Sequence, residues 1–494
     1  MDKKIDISNS QGFNEYQRSV IFLTLVAAKN ILGKKTRVRV KHSIDKNLYC
    51  EIDGIISTDE QLFEIQEKMI ELVQQDIKIE KISLPISKVI EIFQDFSYED
   101  KVKNLHFRRS SNVSVYKLLD YYNYFYGKLV PSTGYLSMFA LVKHQDGFFI
   151  QLEDEKNPSN LRPVKKLVKI SQVYDETYNW AKILGVDTVG ALNEKISKEG
   201  LDEIIKTNEA LHEKRIGEIA DQIYAGKKKI VFIAGPTSSG KTTFAHRLGI
   251  QLRVHGLDPF VMSLDNYYKD RDQLPKDENG EVDLESVWAL DVSCINDDLA
   301  QLTQGNIIDI PKYDFKSGKK SYKGDFYGLN KNSILIVEGI HGLNETIGES
   351  VHTDLKFKIF IAPLTQLSID DHNRISTGDT RLIRRIVRDT KFRGFGALEN
   401  LSMWPLVQRG ERLHIFPYQE KADAIFNSVL VYEISILKQY VEPLLFNIGK
   451  DKEEYPEARR LIKFLDSFLG VSSEAVPQNS ILREFIGGSS IHVH

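Results

Sequence analysis

A glycine-rich run in the middle of the chain has the clearest capacity for chemistry. Residues 235–243 read Gly-Pro-Thr-Ser-Ser-Gly-Lys-Thr-Thr and satisfy the pattern G-x-x-x-x-G-K-[ST]. Glycines let a backbone fold around an anion, so that its N–H groups and the positive N-terminus of the next helix point at phosphate. The lysine adds charge at the β- and γ-phosphates, and the next hydroxyl is a ligand for Mg²⁺. The run predicts a nucleoside triphosphate site made of Gly235, Pro236, Thr237, Ser238, Ser239, Gly240, Lys241, Thr242 and Thr243.

The segments on either side of this run support that prediction. Apolar residues 230–234 enter it as a strand, and Ala245, Leu248 and Leu252 follow it at helical spacing. Gly256 is then a typical helix C-cap. The alternative is a strand-to-helix turn that contains Lys-Thr by chance, and correct flanks on both sides argue against it.

Two carboxylates are spaced for phosphoryl transfer, which needs a metal ligand and a group that accepts the proton of the attacking hydroxyl. Asp265 ends the apolar run 260–264, and Glu338 ends the apolar run 334–337. Open parallel sheets bind ligands at the carboxyl ends of their strands, where both acids should lie. The alternative is that each acid merely caps the helix after its strand.

A basic cluster follows. Arg381, Arg384, Arg385 and Arg388 fall at i, i+3, i+4 and i+7, one face of a helix, and seven bases against two acids make residues 374–393 the most basic window of the chain. Guanidinium groups bind phosphate oxygens bidentately, so the row predicts a lid over a triphosphate. A solvated basic helix face is the alternative.

The elements that must position these residues fall into four predicted parts. Residues 1–158 read as a mixed α+β unit, residues 159–226 as a helical connector, residues 227–450 as an α/β unit, and residues 451–494 as a C-terminal helix and tail. In the third part short apolar strands alternate with helix-length segments, which indicates a parallel sheet flanked by helices. The predicted strands there are 230–234, 259–264, 334–338, 357–361 and 424–428. In the first part we predict helices around 19–31 and 59–75 and strands at 37–41, 47–52 and 135–142.

Composition excludes several classes of protein. The 494 residues are 41% hydrophobic and 27% charged, which is typical of a folded chain of several domains. The net charge of −3 lacks the positive excess of a protein that binds nucleic acid with its whole surface. Two cysteines cannot build a disulfide framework or a cysteine-rich zinc site. No apolar run approaches a membrane span, so we expect a soluble, unprocessed cytoplasmic protein.

Together these motifs resemble the uridine kinase and phosphoribulokinase family of P-loop kinases over roughly residues 228–433. The matching strings are the glycine-rich run 235–243, Ser-Leu-Asp-Asn-Tyr-Tyr at 263–268, Pro-Lys-Tyr-Asp-Phe at 311–315, Val-Glu-Gly-Ile at 337–340 and the basic window 379–393.

The resemblance implies a P-loop NTPase fold, ATP and Mg²⁺ as cofactors, and roles for single residues. Asp265 would be the general base, acting with Lys241, Arg385 and Arg388 in catalysis. Arg393 would join Arg385 and Arg388 on the nucleotide phosphates. Thr242 and Glu338 would hold the metal, and the substrate ligands would be Tyr268, Tyr313, Phe315 and Glu338.

This chain departs from uridine kinases in the substrate pocket. Those enzymes follow Tyr-Asp-Phe with a histidine and an arginine that address the base, whereas this chain has Gly318 and Lys319. The acid for the ribose hydroxyls corresponds to Trp288, and the second lid arginine to Phe395. The resemblance therefore implies intact phosphoryl-transfer parts and a changed acceptor site.

Residues 14–152 resemble the second N-terminal domain of threonyl-tRNA synthetase, which edits mischarged tRNA. Asn-Leu-Tyr-Cys-Glu-Ile at 47–52 and Leu-Val-Pro-Ser-Thr-Gly at 129–134 carry the match. The editing residues are missing. The His-x-x-x-His motif of that domain is absent, since the first histidine in the chain is His42, and Phe125 and Leu129 replace a cysteine and a histidine. We read this region as a binding or scaffold module.

The leading hypothesis is a kinase that transfers the γ-phosphate of ATP to a hydroxyl of a nucleoside-like small molecule, such as the 5′-hydroxyl of uridine or cytidine. The first alternative is a sugar or sugar-phosphate kinase similar to phosphoribulokinase. The second, from another class, is a nucleotide-switched regulator that contacts RNA through the N-terminal domain. We expect a homo-oligomer, and no membrane partner.

Overall fold

Helices and strands follow each other irregularly up to residue 152 and in regular alternation from residue 230. The computed structural model describes residues 4–157, 159–165, 167–276, 280–314, 317–365 and 367–491. Its helices are α1 Ser10–Leu32, α2 Asp59–Gln74, α3 Ile86–Asp95, α4 Glu99–His106, α5 Val168–Ile183, α6 Val189–Glu199, α7 Asp202–Ala225, α8 Lys241–Val254, α9 Val292–Thr303, α10 Thr377–Phe392, α11 Ala397–His414, α12 Glu433–Phe446, α13 Tyr455–Leu465 and α14 Arg483–Ile486.

The strands divide among five sheets. They are β1 Val38–Ile44, β2 Asn47–Ile52, β3 Glu80–Pro85, β4 Asn112–Leu118, β5 Tyr121–Asn123, β6 Phe139–His144, β7 Gly147–Leu152, β8 Ile230–Ala234, β9 Asp258–Ser263, β10 Ile307–Asp314, β11 Lys319–Gly328, β12 Ser333–Glu338, β13 Lys356–Ala362, β14 Ser368–Asp370, β15 Asn373–Arg374 and β16 Ala424–Asn427.

The N-terminal part is built on two antiparallel sheets, in the orders β1-β2-β7-β6 and β3-β4-β5. Helix α1 is buried along its whole run from Ser19 to Lys29, so it serves as the centre of the first core. The helix begins at Ser10, nine residues before the predicted start, because the Asn9 side chain accepts a hydrogen bond from Gly12 N at 2.8 Å and caps it.

One predicted strand of this part is displaced. Strand β6 begins at Phe139, whereas the sequence analysis predicts a strand from residue 135. Thr133 explains the difference, since its hydroxyl donates to Leu72 O at 2.6 Å and accepts from Ile77 N at 2.8 Å. These bonds hold Thr133–Tyr135 in a short 3-10 turn, which delays the strand.

A five-stranded sheet of order β16-β13-β8-β12-β9 forms the second large part, and every pairing in it is parallel. The central strands β8 and β12 are buried at every position, because helices cover both faces of the sheet. The predicted α/β class is confirmed. Three helices, α5 to α7, occupy the region predicted to be helical between the two parts.

Two hairpins were not predicted from the sequence. β10 and β11 form a long hairpin in which β11 is mostly exposed and β10 buries Ile308 and Ile310, and β14 and β15 form a short buried hairpin just before α10. The short hairpin docks into the N-terminal part: Lys101 Nζ lies 2.6 Å from Asp370 Oδ1, and Arg37 Nη2 lies 2.7 Å from Asp371 Oδ2. Val40 N also donates to Asp371 O at 2.8 Å. The two large parts therefore share a buried polar junction.

Across the described part of the chain, every helix is too short or too polar to traverse a bilayer.

Candidate active site

The glycine-rich loop connects β8 to α8, as its flanks predict. Gly240 at its end has φ of +87°, and Ser238 has φ of +58°, so both lie in the left-handed region. A Cβ on Gly240 would lie 2.6 Å from Ile481 Cγ2, and a Cβ on Gly235 would clash with the carbonyl oxygen of Ile361. Backbone conformation and packing therefore both require glycine at position 240.

Lys241, the first residue of α8, lies among acids. Its Nζ donates to Pro236 O at 3.2 Å, within the loop itself. Burial lowers the pKa of Lys241, while the carboxylates of Glu338, Asp265 and Glu484 oppose that shift. The loop thus holds its cation close to the two acids predicted from the sequence and to a third that the sequence analysis missed.

Strand register brings the acids to one edge. Glu338, the last residue of β12, pairs with Ser263 on β9 and with Ile233 on β8, and only 5% of it is exposed. Burial raises the pKa of Glu338 to about 7, and the Asp265 carboxylate adds to the rise, while Lys241 and a hydrogen bond from Ser263 oppose it.

Asp265 lies just beyond β9, in a short 3-10 turn over Leu264–Tyr267. Its backbone N–H donates to Ser263 Oγ at 3.4 Å, which fixes the turn at the end of the strand. A loop lysine, a strand-end glutamate and a turn aspartate therefore converge at the carboxyl edge of the sheet, the edge at which open parallel sheets bind their ligands.

The predicted substrate residues are partly brought together. Tyr268 is buried and donates its hydroxyl to Leu284 O at 3.2 Å, and its ring lies 5.6 Å from that of half-buried Tyr313. Phe315 lies outside the described residues. Trp288 is 57% exposed, so it does not replace the missing acid with a buried contact.

Two of the four arginines predicted to face the triphosphate do not do so. Arg381 is ion-paired with Glu411 through both terminal nitrogens, one of them at 2.8 Å. Arg384 is fully buried, ion-paired with Glu433, and donates to Ser238 O at 3.3 Å. The prediction of a four-arginine phosphate face is wrong, because buried acids on α11 and α12 take these two guanidinium groups.

The other lid arginines share a single carboxylate, Asp389. Arg388 Nε donates to it at 2.8 Å, and Arg393 Nε lies 3.8 Å from it. Arg385 Nε lies 3.3 Å from it and donates its hydrogen bond to Asn400 Oδ1 at 2.9 Å. Arg393 is half exposed; burial and the neighbouring Arg388 lower its pKa, while the carboxylates of Asp389 and Asp265 oppose the shift. Arg385 and Arg388 on α10, and Arg393 just after it, are therefore grouped around one carboxylate.

Sequence reasoning missed three acids in this region. Glu411 accepts from Thr237 N at 3.3 Å, and Glu484 accepts from Thr243 Oγ1 at 2.6 Å. Burial raises the pKa of Glu285 to about 7; the Glu411 carboxylate adds to the rise, while Arg385 and Lys241 oppose it. Of the three, only Glu285 could have been found from the sequence, because it lies three residues before Trp288, the position at which uridine kinases have an acid.

Residues 230–435 match the phosphoribulokinase / uridine kinase family. The chain is 30% identical over 166 residues to a uridine kinase from Staphylococcus haemolyticus, covering 33% of this chain and 70% of that protein. It is 32% identical over 165 residues to a uridine kinase from Lactobacillus johnsonii, covering 33% of this chain and 69% of that one. The chain belongs to the phosphoribulokinase/uridine kinase family.

Members of the phosphoribulokinase/uridine kinase family are phosphotransferases that act on hydroxyl groups, and the parallel sheet with its loop and lid is the part of this chain that belongs to it. Among solved structures, a D-glycerate 3-kinase from Cryptococcus neoformans is 14% identical with a TM-score of 0.24, covering 56% of this chain and 88% of that one.

Two positions of the N-terminal part bear on its predicted resemblance to an editing domain. Phe125 and Leu129, which the sequence analysis aligns with the editing cysteine and histidine, are buried apolar residues. Within the described ranges no group of three or more histidine, cysteine, aspartate or glutamate side chains could hold a metal ion. A metal site of one hydroxyl, one carboxylate and phosphate oxygens, as predicted for the kinase part, is not a group of that kind.

Proposed function

We propose that this protein transfers the γ-phosphate of ATP to a hydroxyl of a nucleoside-like small molecule. Two observations carry the proposal: the register of β12 sets Glu338 opposite Ser263 on β9 and Ile233 on β8, and the carboxylates of Glu338 and Asp265 both act on Lys241. That grouping supplies charge neutralisation and a proton acceptor at one point, and phosphoryl transfer needs little else from a protein.

The residues of the site have separate roles in phosphoryl transfer. The N–H groups of the loop and the start of α8 bind phosphate oxygens, and Lys241 bridges the β- and γ-phosphates. Arg385, Arg388 and Arg393 exchange Asp389 for phosphate oxygens. Asp265 accepts the proton of the attacking hydroxyl.

Mg²⁺ fits this site. Thr242, on the first turn of α8, and Glu338 are hard oxygen ligands at the sheet edge, and they leave most coordination positions to phosphate and water, as Mg²⁺ prefers. When bound, the ion would neutralise the charge that develops on the transferred group.

The acceptor pocket supports a nucleoside-like substrate with altered base contacts. Gly318 has φ of +68°, and a Cβ there would lie 2.8 Å from Arg271 Nε. Arg271 N also donates to Gly318 O at 3.0 Å, so this arginine takes the space that a side chain at 318 would fill. Its planar fork could replace the missing arginine, whereas Lys319 offers only a point charge. A sugar or sugar-phosphate acceptor is the alternative that the same changes favour.

We also propose that the N-terminal part is a binding or scaffold module related to the editing domain of threonyl-tRNA synthetase. One observation supports the RNA-contacting alternative for it: Lys463 and Arg108 both lie beside the Tyr124 ring, at 6.0 and 4.6 Å. Burial lowers the pKa of Lys463, and the nearby cations Arg108, Lys81 and Arg18 add to the shift. A group of cations suits the phosphate backbone of a nucleic acid.

The test is kcat/KM for uridine, cytidine, a purine nucleoside, ribose and a sugar phosphate, measured side by side by ADP formation. We expect activity on nucleosides with weak discrimination among them, because a site that lacks its base-reading pair forfeits a selectivity on the order of 10⁴-fold. A uridine preference above about a hundredfold would show that Arg271 or another residue has replaced the pair. Faster reaction of a sugar or sugar phosphate would favour the alternative.

Lys241→Ala is the matched loss-of-function variant, with exposed Lys331→Ala as its control. Removing the loop lysine should abolish turnover while the fold is kept, since the charge that bridges the β- and γ-phosphates is lost. Activity within about tenfold of wild type would overturn the kinase proposal. Salt-dependent tRNA binding without ATP consumption on any acceptor would favour the regulator instead.

A further inference from the structure

The last residues of the chain pack against the glycine-rich loop. We call residues 476–491 the C-terminal segment. Its side chains Ile481, Leu482 and Phe485 are fully buried, and Ile481 packs on Gly240 of the loop. The segment is therefore part of the kinase core.

Two lid residues hold the segment. Lys391 Nζ donates to Ile486 O at 2.6 Å, and the Arg384 guanidinium lies 5.0 Å from the centre of the Phe485 ring. Both cations belong to α10, the helix that also carries Arg385 and Arg388. The segment is thus attached to the lid on one side and to the phosphate-binding loop on the other.

Glu484 makes the polar contact between the C-terminal segment and the start of α8, where a phosphate-binding loop of this kind binds an anion. Glu484 Oε2 accepts from Thr243 Oγ1 at 2.6 Å and from Thr243 N at 3.4 Å. The first N–H groups of a helix have no partner within the helix, and the first intrahelical bond of α8 is donated by Phe244 to Gly240 O. Thr243 N is therefore one of the donors that a loop of this kind offers to the phosphates of its ligand.

We propose that Glu484 competes with the phosphate donor for the loop, so that the C-terminal segment inhibits its own kinase until the donor displaces or neutralises that carboxylate. The inference rests on the proposed function in one respect, that the loop binds a nucleoside polyphosphate. The carboxylate takes a hydroxyl and an N–H that a phosphate oxygen would use. It also adds a third negative charge to the two acids, Glu338 and Asp265, that already surround Lys241.

The attachment to α10 gives the competition a consequence for lid movement. Lys391 and Arg384 of α10 contact the C-terminal segment, so displacement of Glu484 by a phosphate donor weakens contacts of α10. The same helix carries Arg388, which is proposed to bind the phosphates. Donor binding and lid rearrangement are therefore coupled through the segment.

The test measures ADP binding to the full-length protein by titration calorimetry with Mg²⁺ present. Glu484→Gln keeps the shape and removes the charge, and we expect it to bind ADP about tenfold more tightly than wild type, the size of a lost charged contact. Glu474→Gln is the control, because Glu474 is an exposed acid a few residues before the segment, and its affinity should match wild type.

A second variant, Lys391→Met, removes the bond to Ile486 O without touching Glu484, and should tighten ADP binding in the same direction by a smaller factor. In wild type, ADP should also increase hydrogen exchange of residues 480–488. If wild type binds ADP and both variants bind it with equal or lower affinity, the inference is overturned and the kinase proposal stays intact. Failure of wild type and of both variants to bind ADP would overturn both.

Discussion

Arg388 donates its Nε hydrogen bond to the carboxylate of Asp389, its own neighbour in the chain, at 2.8 Å. Its Nη2 lies 2.7 Å from the same oxygen. This nitrogen is nevertheless buried without a hydrogen bond, because no acceptor lies in the direction of its N–H groups. A buried guanidinium nitrogen without an aligned acceptor is costly, unless a ligand supplies one. We therefore expect Arg388 to deliver N–H groups to the transferred phosphoryl group.

Arg388→Lys should lower kcat by at least about 10³-fold, because a lysine cannot present two N–H groups in one plane to phosphoryl oxygens. ADP affinity should change little, since this contact forms with the transferred group. Steady-state kinetics and calorimetry measure the two effects separately. The exposed Arg459→Lys should leave both at wild-type values, and a kcat for Arg388→Lys near wild type would remove this arginine from the mechanism.

Asp265→Asn should leave nucleotide binding nearly intact and lower kcat by about 10²–10⁴-fold, the contribution of a positioned general base. The amide keeps the shape of the side chain but cannot accept the proton of the attacking hydroxyl. Asp272→Asn, at an exposed position of the next turn, is the matched control. An unchanged kcat with a raised KM for ATP would instead make Asp265 a nucleotide ligand.

Glu285 predicts a pH dependence of stability. Burial and the Glu411 carboxylate raise its pKa to about 7, so the folded protein keeps a proton that the unfolded chain releases near pH 4.5. The stabilisation is fully present below about pH 4.5 and is lost as pH rises through about 7. Thermal unfolding of the unliganded protein between pH 5 and pH 8 should show this loss.

Glu285→Gln should flatten that decline in melting temperature, since the amide does not titrate in this range. Exposed Glu349→Gln should keep the wild-type slope. An identical slope in wild type and Glu285→Gln would mean that another group, such as Glu338, dominates the proton release.

The ion pair between Lys101 and Asp370 predicts how tightly the N-terminal part is joined to the kinase part. Both side chains are almost fully buried, at 2% and 1% exposed. Lys101→Met should lower the free energy of unfolding by about 3–5 kcal/mol, because it leaves a buried carboxylate uncompensated. Urea denaturation near pH 7.5 measures the loss.

Lys103→Met breaks an exposed pair with Glu194 and should cost no more than about 1 kcal/mol. Adding Asp370→Asn to Lys101→Met should restore part of the stability, since the amide carries no charge to bury. A loss as small in Lys101→Met as in the control would show that water or a rearranged partner compensates Asp370.

The sequence predicted the parts whose signal is local. The loop 235–243 has its strand and helix on either side, and Glu338 ends a strand that is apolar throughout, so both were located correctly. The spacing of the arginines on α10 correctly predicted a helix, but not their partners. Glu411 and Glu433 lie 30 and 49 positions from Arg381 and Arg384, and nothing in a single sequence links residues so far apart.

The acids missed at the loop have the same explanation. Glu484 reaches Thr243 across 241 positions of chain, and Glu411 reaches Thr237 across 174. The hairpin of β14 and β15 was missed because its strands have three and two residues, too short for an alternating pattern. Tertiary contacts, and not local propensity, decide these features.

The junction between Lys101 and Asp370 also has a consequence for synthesis on the ribosome. The two residues are 269 positions apart, so the lysine emerges long before its partner. At roughly 5–20 residues per second, the interval is on the order of ten seconds to a minute. During that time the nascent N-terminal part carries Lys101 without Asp370, and its Arg37 and Arg39 have Asp53 beside them but not Asp371. The N-terminal part can therefore complete this junction only after the β14–β15 hairpin of the kinase part has been translated.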